Sequence, residues 1–442
     1  MNKEIFGGNM KNFRKIFFAL LALCLVTNVF AQGKLLKNFT AELKAAGKEN
    51  QGEDLLNVQK SIFDKFVKEN GSPVIVDKGE GNYEITFLYF DKDFDAKNPS
   101  VITISCDNHS ELSGTELKNI KKTPIFYKTV KLKTDKAFLT YMIKENDGYQ
   151  ENDPANPLKH CDRKKSSLAR LSDKVGGLEI FRFESKYEWM GARDVYVYLP
   201  AEYLNNIDNE KKFPVLYMLD GQNVWDEKSL PWRGWKVETS MERLVQEGKI
   251  QSAIIVGISN NRNRTKEYAG WCDELPDEPV TDSAEFKRYA TEHRLMIVEE
   301  IIPLIEKNYN TISDRSGRVI AGSSYGAFCS AYIASQNPDV FSGAGLFSGG
   351  STGFEQIIKE DGFNFSSDKK VKFYIDCGTG DALEMILLPG TQHLKEYILS
   401  KGYKQAEKPS DEGDLFYQES VGHSHNEQAW SKRIPDFLEF MY

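Results

Sequence analysis

The chain has 442 residues, and 57 Lys and Arg against 65 Asp and Glu leave a net charge of −8. At roughly 150 residues per domain that length suggests two or three domains, and 40% hydrophobic with 28% charged residues excludes a disordered or collagen-like chain. The acidic balance argues against a nucleic-acid partner, whose phosphates require a basic face.

The first feature along the chain is a leader. Lys11, Arg14 and Lys15 precede an apolar run from Ile16 to Val26, and Val29-Phe30-Ala31 places small residues where a signal peptidase reads. Residues 1–31 are therefore read as a secretory signal cleaved after Ala31, which predicts a periplasmic or secreted protein. The run is about half of the roughly 20 residues needed to span a bilayer, so no stable membrane insertion is expected. Cys24 would anchor a lipid only after a small residue, and Leu23 stands there. Cys106, Cys161, Cys272, Cys329 and Cys377 are scattered, with no CxxC or metal-like spacing, and read as buried thiols with room for one disulfide.

Residues 32–54 are polar and read as a mobile segment. Leu55, Val58, Ile62 and Phe66 then recur at helical spacing, and Gly71-Ser72-Pro73 stops the helix. Strands are expected over 83–90, 101–104, 125–130 and 138–143, rich in β-branched and aromatic residues. Short strands at this spacing predict a small all-β, immunoglobulin-like sandwich spanning 55–160. A proline-punctuated exit leads into a charged linker, 161–174.

From 175 to 442 strands and helices alternate. Strands are expected over 194–199, 215–219, 253–257, 318–321, 343–347 and 371–375. Helices are expected over 238–247, 285–309 and 327–335, with a last helix that places Pro435 in its first turn. Apolar strands between helices predict a mostly parallel sheet covered by helices on both faces.

The chemistry centres on Gly322-Ser323-Ser324-Tyr325-Gly326, set between a strand and a helix. That context marks a strained turn that lifts a serine oxygen above the sheet; the competing reading is a glycine-bounded phosphate or packing turn. Ser324 needs a base, and the base an orienting carboxylate. In this order of elements the acid and then the histidine follow the serine. His393 lies in a helix-like stretch, which leaves His423 and His425 on the loop before the last helix. For the acid, Asp381 lies in the loop after the strand ending at Asp376, and active groups sit beyond the carboxyl ends of parallel strands. Asp376 is still in the strand and Glu384 a helical turn later, so Asp381 is preferred. Oxyanion donors are expected from the backbone N–H of Tyr325 and of Gln222, the latter in the loop after 215–219.

These residues carry a resemblance. Tyr217-Met218-Leu219-Asp220-Gly221-Gln222-Asn223, Ile255-Val256-Gly257-Ile258, Arg264-Thr265-Lys266-Glu267-Tyr268, the serine turn, Cys377-Gly378-Thr379-Gly380-Asp381 and His425-Asn426-Glu427-Gln428-Ala429-Trp430 resemble an esterase family of α/β hydrolases. It includes enterochelin, feruloyl and acetyl xylan esterases and formylglutathione hydrolases. The match of the last motif selects His425 over His423. Glu84-Ile85-Thr86-Phe87-Leu88-Tyr89, Thr123-Pro124-Ile125-Phe126-Tyr127 and Asp153-Pro154-Ala155-Asn156-Pro157 resemble the N-terminal domain of enterochelin esterases.

The resemblance implies hydrolysis of small-molecule esters, with catecholate siderophores first and acylated plant polysaccharide as the alternative, and no cofactor or metal. A ferric tris-catecholate is strongly anionic, which makes Arg262 and Arg264 candidate contacts; a loop bridged to Glu267 is the competing reading. Trp225, Trp232 and Trp235 are candidates to stack on an aromatic acyl group, against a packing role. Asp220, Asn223 and Trp430, inside the matched motifs, are further candidates for substrate contact. A histidine base predicts activity falling below about pH 6.

Overall fold

The computed structural model describes residues 33–161, 164–206, 210–226, 234–269, 283–350 and 369–442. The leader, Cys24, Cys272 and Trp232 lie outside them. Contacts divide the chain into two compact units: one runs to Leu158 and includes Ser166–Val175, the other comprises Lys159–Lys165 and Gly176–Tyr442.

In the first unit residues 33–49 are helical, where the sequence reading gives a mobile segment. Phe39, Leu43 and Ala46 are buried at helical spacing, so this polar stretch still carries one apolar stripe. A second helix, Gly52–Asn70, buries Gln59, Phe63 and Phe66. Nine strands follow: β1 (Val74–Asp77), β2 (Asn82–Phe90), β3 (Ile102–Cys106), β4 (Thr115–Glu116), β5 (Lys118–Asn119), β6 (Ile125–Lys133), β7 (Phe138–Glu145), β8 (Gln150–Glu151) and β9 (Ser167–Arg170). They form two sheets, ordered β1-β2-β6-β5 and β4-β3-β7-β8 with β9 on β7. All pairings are antiparallel. One apolar cluster draws Ile85, Phe87 and Phe126 from the first sheet and Ile104, Leu139 and Tyr141 from the second. On the opposite face of β2, Leu88 packs with Phe39, Leu43, Phe63 and Phe66 of the helices. A strand covered on both faces loses strict alternation, which explains the imperfect pattern of 83–90. Strand β9 falls where the sequence suggests a linker; Ser167 and Leu168 are buried by pairing with β7.

Among the described residues the second unit holds a sheet of nine strands: β10 (Gly177–Phe183), β11 (Arg193–Leu199), β12 (Val215–Leu219), β13 (Ile254–Ile258), β14 (Arg318–Ser323), β15 (Gly343–Phe347), β16 (Lys372–Gly378), β17 (Gln405–Ala406) and β18 (Leu415–Ser420). Their order is β10-β11-β13-β12-β14-β15-β16-β18-β17. The pairs β10/β11 and β11/β13 are antiparallel, and the rest of the sheet is parallel. The central strands β12, β13 and β15 are buried throughout, as a sheet covered on both faces requires.

Two helices differ from the sequence reading. The expected helix 285–309 is Ser283–Leu295, a π turn at Met296–Ile301, then Ile302–Asn308. Pro303 has no N–H to continue the ladder, and the wide turn sits just before it. The last helix is Glu427–Met441, which puts Pro435 in its interior rather than its first turn.

Candidate active site

Strand β14 runs into the helix Tyr325–Gln336 through the single residue Ser324, whose φ of 56° and ψ of −127° cost a non-glycine residue on the order of 1–3 kcal/mol. Its N–H donates to the Phe347 carbonyl at 2.9 Å, and its own carbonyl accepts from Ala327 at 3.0 Å. The first bond pins the turn to β15, and the second closes it onto its helix. A Cβ on Gly322 would lie 2.7 Å from the carbonyl carbon of Gly326, so the turn closes only with glycine there. The Ser324 side chain stays partly exposed while the helix behind it is buried from Gly326 to Ser335.

The candidate carboxylates and histidines follow β16 and β18. Asp381 is the N-cap of the helix Ala382–Ser400: one carboxylate oxygen accepts the Glu384 N–H at 2.9 Å and the other the His425 backbone N–H at 2.7 Å. Both of its oxygens serve main-chain amides. The sequence reading puts Asp381 at the imidazole; the structure puts Glu384 there. Glu384 Oε1 lies 3.3 Å from His425 Nδ1, a close contact short of an aligned hydrogen bond, with Glu384 fully buried and the His425 side chain 11% exposed. The Glu384 carboxylate also accepts from Ser348 Oγ at 2.6 Å, Cys377 Sγ at 3.0 Å and the Gly378 N–H at 2.7 Å. Burial alone would raise its pKa, but His425 and these donors together hold it at about 2. The His425 ring stands edge-on to Trp430, 5.1 Å between centroids.

The other candidates lie elsewhere. Asp376 is buried on Arg433 Nη1 at 2.8 Å and the Tyr374 hydroxyl at 2.8 Å. The His423 carbonyl accepts the Gly380 N–H at 2.8 Å, and His423 Nδ1 has no hydrogen-bond partner among the described residues. His393 is exposed on its helix.

Gln222 sits in the 3₁₀ turn Gly221–Asn223 that follows β12. Its side-chain oxygen accepts the Asn260 N–H at 3.2 Å. Asp220 binds Arg264 Nε and Nη2 at 2.8 Å each, so Arg264 is neutralised within the protein rather than held out for an anion. Its guanidinium lies over the Tyr268 and Tyr325 rings, 5.1 and 5.8 Å from their centroids. Arg262 is exposed. Asn223 Nδ2 donates to Glu427 Oε1 at 3.2 Å. Trp225 is wholly buried and Trp235 nearly so; both pack in the main core, which corrects Trp225 as a substrate contact. Trp430 is buried and donates to Ser348 Oγ at 3.0 Å.

Glu267 bridges neither Arg262 nor Arg264. It binds Arg193 Nη1 at 2.9 Å and Nη2 at 2.6 Å, all buried, and its Oε2 lies 3.7 Å from His293 Nε2. Burial lowers the His293 pKa to about 4, against the pull of Glu267. The folded state therefore refuses a proton that the unfolded chain accepts below pH 6.5. Stability is complete above that pH and falls as pH drops toward 4, by roughly 3 kcal/mol from this group. Urea midpoints at pH 7 and pH 5 test this: the native chain should lose more stability than His293→Leu, and equal losses would contradict it.

A sequence profile of the family described as "Putative esterase" matches residues 188–438. The chain belongs to this esterase family. It is similar to an endo-1,4-β-xylanase/feruloyl esterase of Xylanibacter ruminicola, 30% identical over 191 residues, which are 42% of this chain and 22% of that protein. The chain thus spans under a quarter of that relative. Among solved structures it is similar to a ferulic acid esterase from Anaeromyces mucronatus, 22% identical over 60% of this chain and 90% of that one, with a TM-score of 0.44. It is also similar to the enterobactin esterase from Shigella flexneri, 14% identical over 85% of this chain and 98% of that one, with a TM-score of 0.42. No helix among the described residues of this esterase is long and apolar enough to cross a membrane.

Proposed function

We propose that this esterase works through an acyl-enzyme on Ser324, with His425 as base and Glu384 as the carboxylate that orients it. The observation that carries the reading is Glu384 Oε1 at 3.3 Å from His425 Nδ1, at the carboxyl ends of the same sheet that presents Ser324. Ser324 Oγ bonds to the ester carbonyl carbon while His425 takes its proton and passes it to the departing alcohol. Water then adds to the acyl carbon by the same route, and Ser324 regains its proton. The backbone N–H groups of Tyr325 and Gln222 hold the tetrahedral oxyanion. Residues 1–31 export the chain, and the N-terminal unit is an immunoglobulin-like module.

The substrate is an aromatic acyl ester on a glycan, of the feruloyl kind. The similar xylanase/feruloyl esterase supports this, and so do the exposed large apolar residues Leu383, Met385, Ile386 and Val421, close in the chain to Asp381 and the histidine loop. Arg264, spent on Asp220, weakens the case for a strongly anionic ligand. The second reading, a catecholate siderophore ester, draws on the N-terminal resemblance and on exposed Arg262.

Chromatography decides between them. The mature chain is offered a feruloylated xylan oligomer and a ferric catecholate trilactone together, with Ser324→Ala as control. Ferulate from the native chain and neither product from the variant is expected. Catechol-amino-acid monomer alone would move the enzyme to siderophores, and equal turnover by Ser324→Ala would overturn the serine mechanism.

A further inference from the structure

Asp220 and Arg264 were expected at the substrate, and both are engaged with each other instead. Asp220 follows β12 directly in a left-handed conformation, φ 55°, two residues before Gln222. Its carboxylate receives Arg264 through two parallel hydrogen bonds and also accepts from Asn260 Nδ2. Its backbone N–H donates to the Tyr268 hydroxyl at 3.3 Å. The same carboxylate faces the serine turn: a Cβ on Gly326 would stand 3.4 Å from Asp220 Oδ2. Arg264 then covers the ring of Tyr325, the residue after Ser324. Gln222 is tied in turn to Asn260, which binds Asp220. The two loops that supply the oxyanion donors are thus joined through one ion pair.

We propose that the Asp220–Arg264 pair is a positioning element that sets the Gln222 loop against Tyr325 and so fixes the spacing of the two oxyanion donors. The proposal rests on the serine-esterase reading above. Because the oxyanion exists only in the transition state, loosening the pair lowers kcat and leaves KM nearly unchanged. Loss of one such donor outright costs about 100- to 1,000-fold, so loss of its alignment is expected to cost about 10- to 100-fold. Lys cannot reproduce a planar two-bond fork stacked on a ring, so Arg264→Lys should fall with Arg264→Gln.

The test is steady-state kinetics on a p-nitrophenyl ester for Asp220→Asn, Arg264→Gln, Arg264→Lys and the double variant Asp220→Asn/Arg264→Gln. Active sites are counted in each by stoichiometric labelling with a fluorophosphonate, which corrects for misfolded protein. Asp220→Asn keeps the size and shape of the side chain, and carries the test if the arginine variants do not fold. The expected result is the stated fall in kcat per labelled site at constant KM, with the double variant no worse than the poorer single one. A rise in KM at constant kcat would make Arg264 a substrate contact and overturn the proposal. So would kcat per labelled site within about 3-fold of native, or full rescue by Arg264→Lys. Failure of the native chain to label at Ser324 would instead refute the serine mechanism itself, and the proposal with it.

Discussion

Glu384→Gln is expected to lower kcat by about 10,000-fold with little change in KM, because an amide in place of the orienting carboxylate favours the wrong imidazole tautomer and cannot stabilise the imidazolium. Asp381→Asn should cost far less. Asn caps a helix about as well as Asp, and its remaining oxygen can keep one of the two amides that Asp381 holds. A loss of about 10-fold follows from a slackened His425 loop, roughly the effect of a small misplacement of a catalytic group. Kinetics per active site on both variants test this, and a larger loss for Asp381→Asn would reassign the acid. Glu384 should not itself produce an acid limb in the activity profile at moderate pH, since its pKa is held at about 2. Its depressed pKa supports the fold above the ordinary glutamate value, and that support is lost as pH falls toward 2.

Arg433→Met is the second large effect, this time on stability. Arg433 is 1% exposed and lies 2.8 Å from Asp376 Oδ1 and 3.7 Å from Glu384 Oε1. It also donates to Ser348 Oγ at 3.1 Å. Even with this cation beside it, burial pushes the Asp376 pKa up to about 6. Removing the cation leaves two buried carboxylates without their shared partner, and breaking a buried pair in this way costs about 3–5 kcal/mol. Urea unfolding at pH 7 should show that loss. Asp376→Asn in the Arg433→Met background should recover part of it, because one of the stranded charges is gone. A loss under about 1 kcal/mol for Arg433→Met, below the range expected for a broken buried pair, would contradict the account.

The serine turn was legible because its signal is local: a strand, two glycines and a helix within a few residues fix both conformation and position. The carboxylate next to the imidazole was not legible, because Asp381 and Glu384 lie three residues apart on one helix start, and which of them reaches the ring depends on the path of the loop from 421 to 426. One clue was present. Asp followed three residues later by Glu is a capping signature, which marks the aspartate as a cap already satisfied by its own helix. Arg264 misled for a related reason. A cation near a site reads as a ligand contact until its carboxylate is seen, and Asp220 comes 44 residues before Arg264. The helix over 33–49 was hidden by its many polar residues; only Phe39, Leu43 and Ala46 mark its buried side. Strands β10 and β18 escaped because charged and polar residues such as Glu179, Arg182 and Glu419 interrupt their apolar pattern toward the sheet's margins.

The central claim is that Ser324 is the nucleophile and that His425 and Glu384 activate it. The most direct measurement is peptide mass spectrometry after reaction with a fluorophosphonate, with the labelling rate followed in the native chain and in Glu384→Gln. The account predicts one adduct, on the peptide containing Ser324, formed at least 100-fold more slowly in the variant, as loss of a triad carboxylate implies. An adduct on a different serine, or an equal rate in Glu384→Gln, would contradict it.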